Sequence, residues 1–209
     1  MIEELIQQID EKQKDILSNL DFESIEVYFF IKKEYAKGNI QENFVFQFVF
    51  KRFYGMDNAG LSDGMKKCFF GLLAKKDTNL KTILSDLYEI PRKKGDKSMQ
   101  FSFATKLLHT IDNDKPIYDT EIGSLTYSKP KHSDDKDTTI RSYIELYNNL
   151  ERLNAKLLEN NKIQRVISEF RLKFDVDKEK ISDVKALDFI MWSLGKIKEK
   201  ERFKKPFSL

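Results

Sequence analysis

The chain of 209 residues is long enough to bury one substantial core, or two smaller lobes that share a cleft. Hydrophobic residues make up 40% of it and charged residues 34%, which excludes both a mainly disordered chain and a membrane protein. Its formal charge of +3 suits polyanion binding only if the positive residues cluster.

The opening MIEELIQQIDEKQKD is acidic and amphipathic, without the basic and then apolar order of a secretory signal. No apolar stretch approaches the ~18 residues of a membrane span. Cys68 is the one cysteine, so no internal disulfide framework exists. These features lead us to expect a cytoplasmic protein with no membrane partner. Ile2, Leu5, Ile6, Ile9 and Ile16 predict a first amphipathic helix ending near Leu20. Ile25, Tyr28, Phe29, Ile31 and Tyr35 predict a second over 23–37, which Gly38-Asn39 stops.

The segment NFVFQFVFKRFYG is the most apolar in the chain. Its aromatic and β-branched residues favour a strand, but they do not alternate strictly and a lone strand would lack a partner, so we expect a buried helix over 42–54. A glycine-containing loop over 56–64 follows, in which Ser62 or Asp63 caps a helix over 64–75. Thr78 or Asn79 caps a short helix carrying Leu80, Ile83, Leu84 and Leu87, which ends at Pro91. Arg92, Lys93, Lys94 and Lys97 then lie in a glycine-containing link. They are either a phosphate contact or a solvated loop.

Residues 99–125 organise the rest. Phe101, Ala104, Leu108 and Ile111, widened by Phe103 and Leu107, predict a helix with a broad buried face and Ser102, Lys106 and His109 opposite it. Asn113, Asp114 and Pro116 end that helix. Asp119 closes a short extended run and precedes another helix start, where its carboxylate either caps the helix or projects into a cleft. Residues 128–138 form a polar loop. Ile140 to Leu157 carry a long helix, Ile163 to Phe170 another, and Val184 to Leu194 a last one with Gly195 as a break; 198–209 is a basic C-terminal tail. The total is about nine or ten helices, an all-α architecture in one compact unit over 1–209.

The chemistry open to these residues is narrow. HExxH, paired-cysteine and calcium-loop spacings are missing from the sequence, so neither metal nor cofactor is expected. No Gly-x-Ser-x-Gly elbow is present, and Cys68 beside Phe69 and Phe70 reads as a small core residue. Tyr118 and Trp192 either stack on a base or simply pack.

The order helix, Asp112-Asn113-Asp114-Lys115-Pro116-Ile117-Tyr118-Asp119, helix resembles the catalytic corner of the helix-hairpin-helix DNA glycosylase superfamily. The detailed resemblance spans about residues 80–125, with FATKLLH similar to the second helix of the hairpin. It implies a two-lobed all-α fold around a cleft for double-stranded DNA, a base flipped into that cleft, and Asp119 as the catalytic carboxylate. The density of positive charge beside the hairpin makes Arg92, Lys93, Lys94, Lys97 and Lys106 the candidate nucleic-acid contacts, with Tyr118 and Trp192 as candidate pocket residues. Phe101 and Phe103 stand near the place of the Schiff-base lysine of bifunctional members, so the implied enzyme is monofunctional, without lysine-dependent strand cleavage. Ile90-Pro91 is followed here by Arg92-Lys93-Lys94-Gly95 in place of the usual glycine-rich hairpin, and Glu121 stands where histidine is frequent. The alternative is a catalytically inactive glycosylase-fold module that binds another protein.

Overall fold

The computed structural model describes residues 2–126, 129–130, 133 and 135–204, and among these it contains eleven helices and no strand. The first predicted helix is two: α1 (Ile2–Glu11) and α2 (Gln13–Ser18) meet at Lys12, whose backbone leaves the helical region. Then come α3 (Phe22–Ala36), α4 (Phe44–Phe53), α5 (Asp63–Ala74) and α6 (Leu80–Glu89). After them run α7 (Phe101–Ile111), α8 (Thr120–Thr126), α9 (Lys136–Leu158), α10 (Asn161–Phe174) and α11 (Asp183–Lys204). None of these helices is long and apolar enough to cross a membrane.

Short polar side chains set most helix starts, because each satisfies an amide that the first turn leaves without a partner. Asp21 accepts from Ser24 N at 2.6 Å and Asn43 from Phe46 N at 2.9 Å. Of the paired candidates, Ser62 caps α5 and Asn79 caps α6, accepting at 3.3 and 3.1 Å. Asp135 accepts from Thr138 N at 2.7 Å, so helix α9 takes in 136–138 of the expected polar loop. Residues 128, 131, 132 and 134 of that loop lie outside the described residues, as do 205–209 of the tail, whose beginning continues α11.

Helix α4 differs from the buried helix expected. Phe46 and Phe50 are enclosed among Phe69 and Phe70, with Phe50 and Phe69 ring centres 5.5 Å apart. Phe44, Val45 and Phe48 instead stand in solvent, 76%, 63% and 55% exposed. The helix has more apolar residues than its one packed face can take.

Helix α7 errs the other way. It is walled on both sides, with α5 and α6 against it and Tyr28 of α3 and Tyr54 after α4 closing the remainder, so Lys106 and His109 are buried rather than turned to water. Gly195 does not break α11. A side chain there would place its Cβ 2.6 Å from the Cβ of Glu121, so the glycine lets α11 run against α8.

Candidate functional site

The corner before α8 is held from two directions. Thr105 of α7 accepts from Tyr118 N at 3.0 Å, and Tyr147 of α9 donates to the Pro116 carbonyl at 3.3 Å. These bonds fix 116–119 as an extended run against α7, in which alternate side chains take opposite sides. Ile117 and Asp119 face a pocket of about 510 Å³, whereas Tyr118 turns to a different cavity, of about 290 Å³, lined by Leu146, Leu150 and Leu153. The Tyr118 ring packs on Phe101, with centres 4.9 Å apart. Tyr118 is therefore no part of the Asp119 pocket, a correction that follows from strand-like alternation at adjacent positions.

The larger pocket lies where the end of α4 and one side of α7 meet α8 and α11. Its apolar walls are Phe53, Phe103, Phe189 and Trp192; its polar ones include Ser102, Lys106, Asp119, Glu121, Lys185, Asp188 and Lys196. Trp192 lines the pocket, brought there from 73 positions further along the chain than Asp119 by α11 packing on α8.

Asp119 performs both of the tasks that its position in the sequence suggested. Oδ1 accepts from Ile122 N at 3.0 Å and so caps α8. Among the described residues Oδ2 accepts no hydrogen bond. Burial raises the Asp119 carboxyl to about 6, with the negative charge of Asp188 adding to the shift; the Ile122 amide and the positive charge of Lys106 act against it. The group is ionised at neutral pH but sits far closer to its titration than an exposed aspartate.

Three lysines meet three carboxylates here, with unequal pairing. Lys185 donates to Asp188 at 2.6 Å, almost wholly buried, and its ammonium lies 4.4 Å from the Phe189 ring centre and 5.0 Å from that of Tyr28. Lys196 pairs with Glu121. Among the described residues Lys106, 9% exposed, reaches only neutral acceptors: Ser102 Oγ at 3.0 Å and the Tyr54 carbonyl at 3.5 Å, beneath the rings of Phe103 and Tyr54. Burial lowers its pKa, although Asp119 and Asp188 favour the charged form. Lys106 is thus a pocket wall and not a surface contact to phosphate.

The other expected nucleic-acid residues lie elsewhere. None of Arg92, Lys93, Lys94 and Lys97 lines this pocket. Arg92 forms an ion pair with Asp96, and Lys97 one with Glu89 at 2.7 Å, which leaves Lys93 and Lys94 as the exposed charges of the link without an ion pair among the described residues. His109, the one described histidine, is held neutral: burial and nearby Lys185 push it down to about 3, while Nδ1 donates to the Lys115 carbonyl at 2.7 Å. No group of His, Cys, Asp and Glu able to hold a metal occurs among the described residues.

Lys185 and Asp188 are site residues that sequence reasoning missed. Asp188 falls on the apolar stripe of α11 with Leu187, Met191 and Leu194, and a carboxylate on such a stripe three positions from a lysine was the available signal. No family model, curated protein or solved structure matches this chain.

Proposed function

We propose that the protein is a monofunctional DNA glycosylase that hydrolyses the N-glycosidic bond of a base flipped out of the duplex. The observation that carries the reading is Asp119. At the corner where the resemblance puts a catalytic carboxylate, the side chain has one oxygen committed to α8 and the other without a hydrogen bond among the described residues, beside a pocket walled by Trp192, Phe53 and Phe103.

The chemistry follows from those groups. The volume of about 510 Å³ lies within the roughly 300–1,000 Å³ of small-molecule sites, and the aromatic walls give an extruded base faces on which to stack. The bond from C1′ to the ring nitrogen breaks with its electron pair going to the base. The sugar becomes an oxocarbenium-like cation, which the Asp119 carboxylate stabilises; water adds at C1′ and the released proton neutralises the departing base. The strand is left intact with an abasic site. The two lobes of this reading are the helices on either side of the pocket, α3 to α7 and α8 to α11 with α1 and α2.

A panel of damaged and mismatched duplexes assayed for abasic sites tests the reading, with Asp119→Asn alongside. The variant is expected to stay folded, keep its DNA affinity and lose base release by about 10²–10³-fold. Release at an unchanged rate in the variant would remove the assignment. A second reading, an inactive glycosylase-fold module that binds a protein, is favoured by the solvent-facing Phe44, Val45 and Phe48. It predicts a specific, nuclease-resistant complex of defined mass and no base release on any duplex.

A further inference from the structure

The pocket of Asp119 contains a second group whose capacity is not used up. An ammonium has three donors and no acceptor. Lys106 Nζ reaches two acceptors, one of them at the 3.5 Å limit, and every residue around it also lines the pocket: Ser102, Phe103 and Tyr54. Lys185 and Lys196 each hold a carboxylate, whereas Lys106 makes no ion pair among the described residues. A buried donor left short of acceptors costs free energy that a ligand acceptor recovers.

We infer that Lys106 is the specificity-determining residue of this pocket and selects bases that carry an exocyclic carbonyl oxygen over bases that carry an amino group at the same place. This rests on reading the pocket as a base site. The discrimination is asymmetric by chemistry. A carbonyl oxygen accepts from the ammonium, whereas an exocyclic amine brings a donor against a donor and leaves the buried cation without its acceptor. The Lys106 ammonium lies 5.1 Å from the Phe103 ring centre and 5.7 Å from that of Tyr54, and the residue is only 9% exposed, so water is a poor substitute for a ligand acceptor there. Asp119 on the same pocket attends to the sugar, which separates binding of the base from breaking of its bond.

Hypoxanthine and adenine share the purine ring and differ along one edge, with a carbonyl oxygen at C6 beside N1–H in the first and an amine at C6 beside an unprotonated N1 in the second. Trp192, the only tryptophan, lines the pocket and reports its occupancy by fluorescence. The full chain titrated with each free base should bind hypoxanthine at least about tenfold more tightly than adenine. Lys106→Met keeps the aliphatic stem and should bring the two affinities together, with Lys106→Gln as a second variant of similar reach. Equal binding of both bases by the unmodified protein, no fluorescence response to hypoxanthine, or a preference that survives in a folded Lys106→Met or Lys106→Gln protein would overturn the inference. Its failure is separable from that of the glycosylase reading. Hypoxanthine preference without base release from any duplex keeps the Lys106 assignment and removes the enzyme, whereas Asp119-dependent release with no such preference does the reverse.

Discussion

The link over 91–98 and the pocket between α7 and α11 carry the same kinds of charged side chain and differ in where the charge ends up. In the link, Arg92 and Lys97 close ion pairs with Asp96 and Glu89 at the surface, where water already solvates both partners. In the pocket, Lys185 and Asp188 are paired out of water, while buried Lys106 and half-buried Asp119 have no ion pair among the described residues. The density of lysine along the chain drew attention to the link. Desolvated charge without a counter-charge marks the pocket, and such groups are where chemistry is concentrated.

The sharpest contrast comes from removing one lysine from each region. Lys185→Ala leaves Asp188 buried and uncompensated, at an expected cost of about 3–5 kcal/mol in denaturant unfolding, against less than about 1 kcal/mol for Lys97→Ala. Equal costs would break the comparison.

Asp119→Asn should do the opposite of most substitutions and stabilise the protein. The folded carboxyl titrates at about 6, above its ordinary value of 3.8, so the charged form is the one that folding disfavours. The penalty is absent below the unfolded value, grows between the two values and is complete above the folded one. Asparagine caps a helix as well as aspartate does. The variant is expected to gain about 1–3 kcal/mol at roughly pH 8 and nothing near pH 3, read from unfolding curves at both. A loss at the higher pH would show that capping by the carboxylate outweighs its burial.

Gly195→Ala sharpens the comparison by moving the pocket alone. The new Cβ would meet Glu121 Cβ at 2.6 Å and its Cα at 3.1 Å, pushing α8 and its Asp119 corner off α11. We expect about 1–3 kcal/mol of lost stability, with base release impaired more than DNA affinity. The smallest effect belongs to the link. Replacing Arg92, Lys93, Lys94 and Lys97 together should lower the salt dependence of DNA binding by no more than about 2 units, because Arg92 and Lys97 already have carboxylate partners. A change of about 4 units would restore the link as the main phosphate contact.

What the sequence made legible was local. Ser62 and Asn79, each one of two candidates, cap helices through amides three residues away, and a stretch of ten residues contains everything needed to see that. The Asp119 corner was legible for the same reason, since Pro116 and the Ile122 amide are its close neighbours. The turn of Tyr118 away from Asp119 was also within reach, through the alternation of an extended run. The burial of Lys106 was not. The 3.6-residue period of α7 shows one apolar face, and the second wall comes from Tyr54 and Tyr28, more than 50 positions away in each case. Lys185 and Asp188 stayed hidden because an i, i+3 pair looks the same whether its helix face meets water or Tyr28 and Phe53.

The pH dependence of base release tests the central claim most directly, because it reads the ionisation of Asp119 and the chemistry in one experiment. On a duplex that the unmodified protein cleaves at its glycosidic bond, the rate should fall about tenfold per pH unit below about 6 and level off above it, as the carboxylate is protonated and lost. Asp119→Asn should show a residual rate without that limb. A limb of the same position and slope in the variant would contradict the account, as would full activity of the unmodified protein two units below the Asp119 titration.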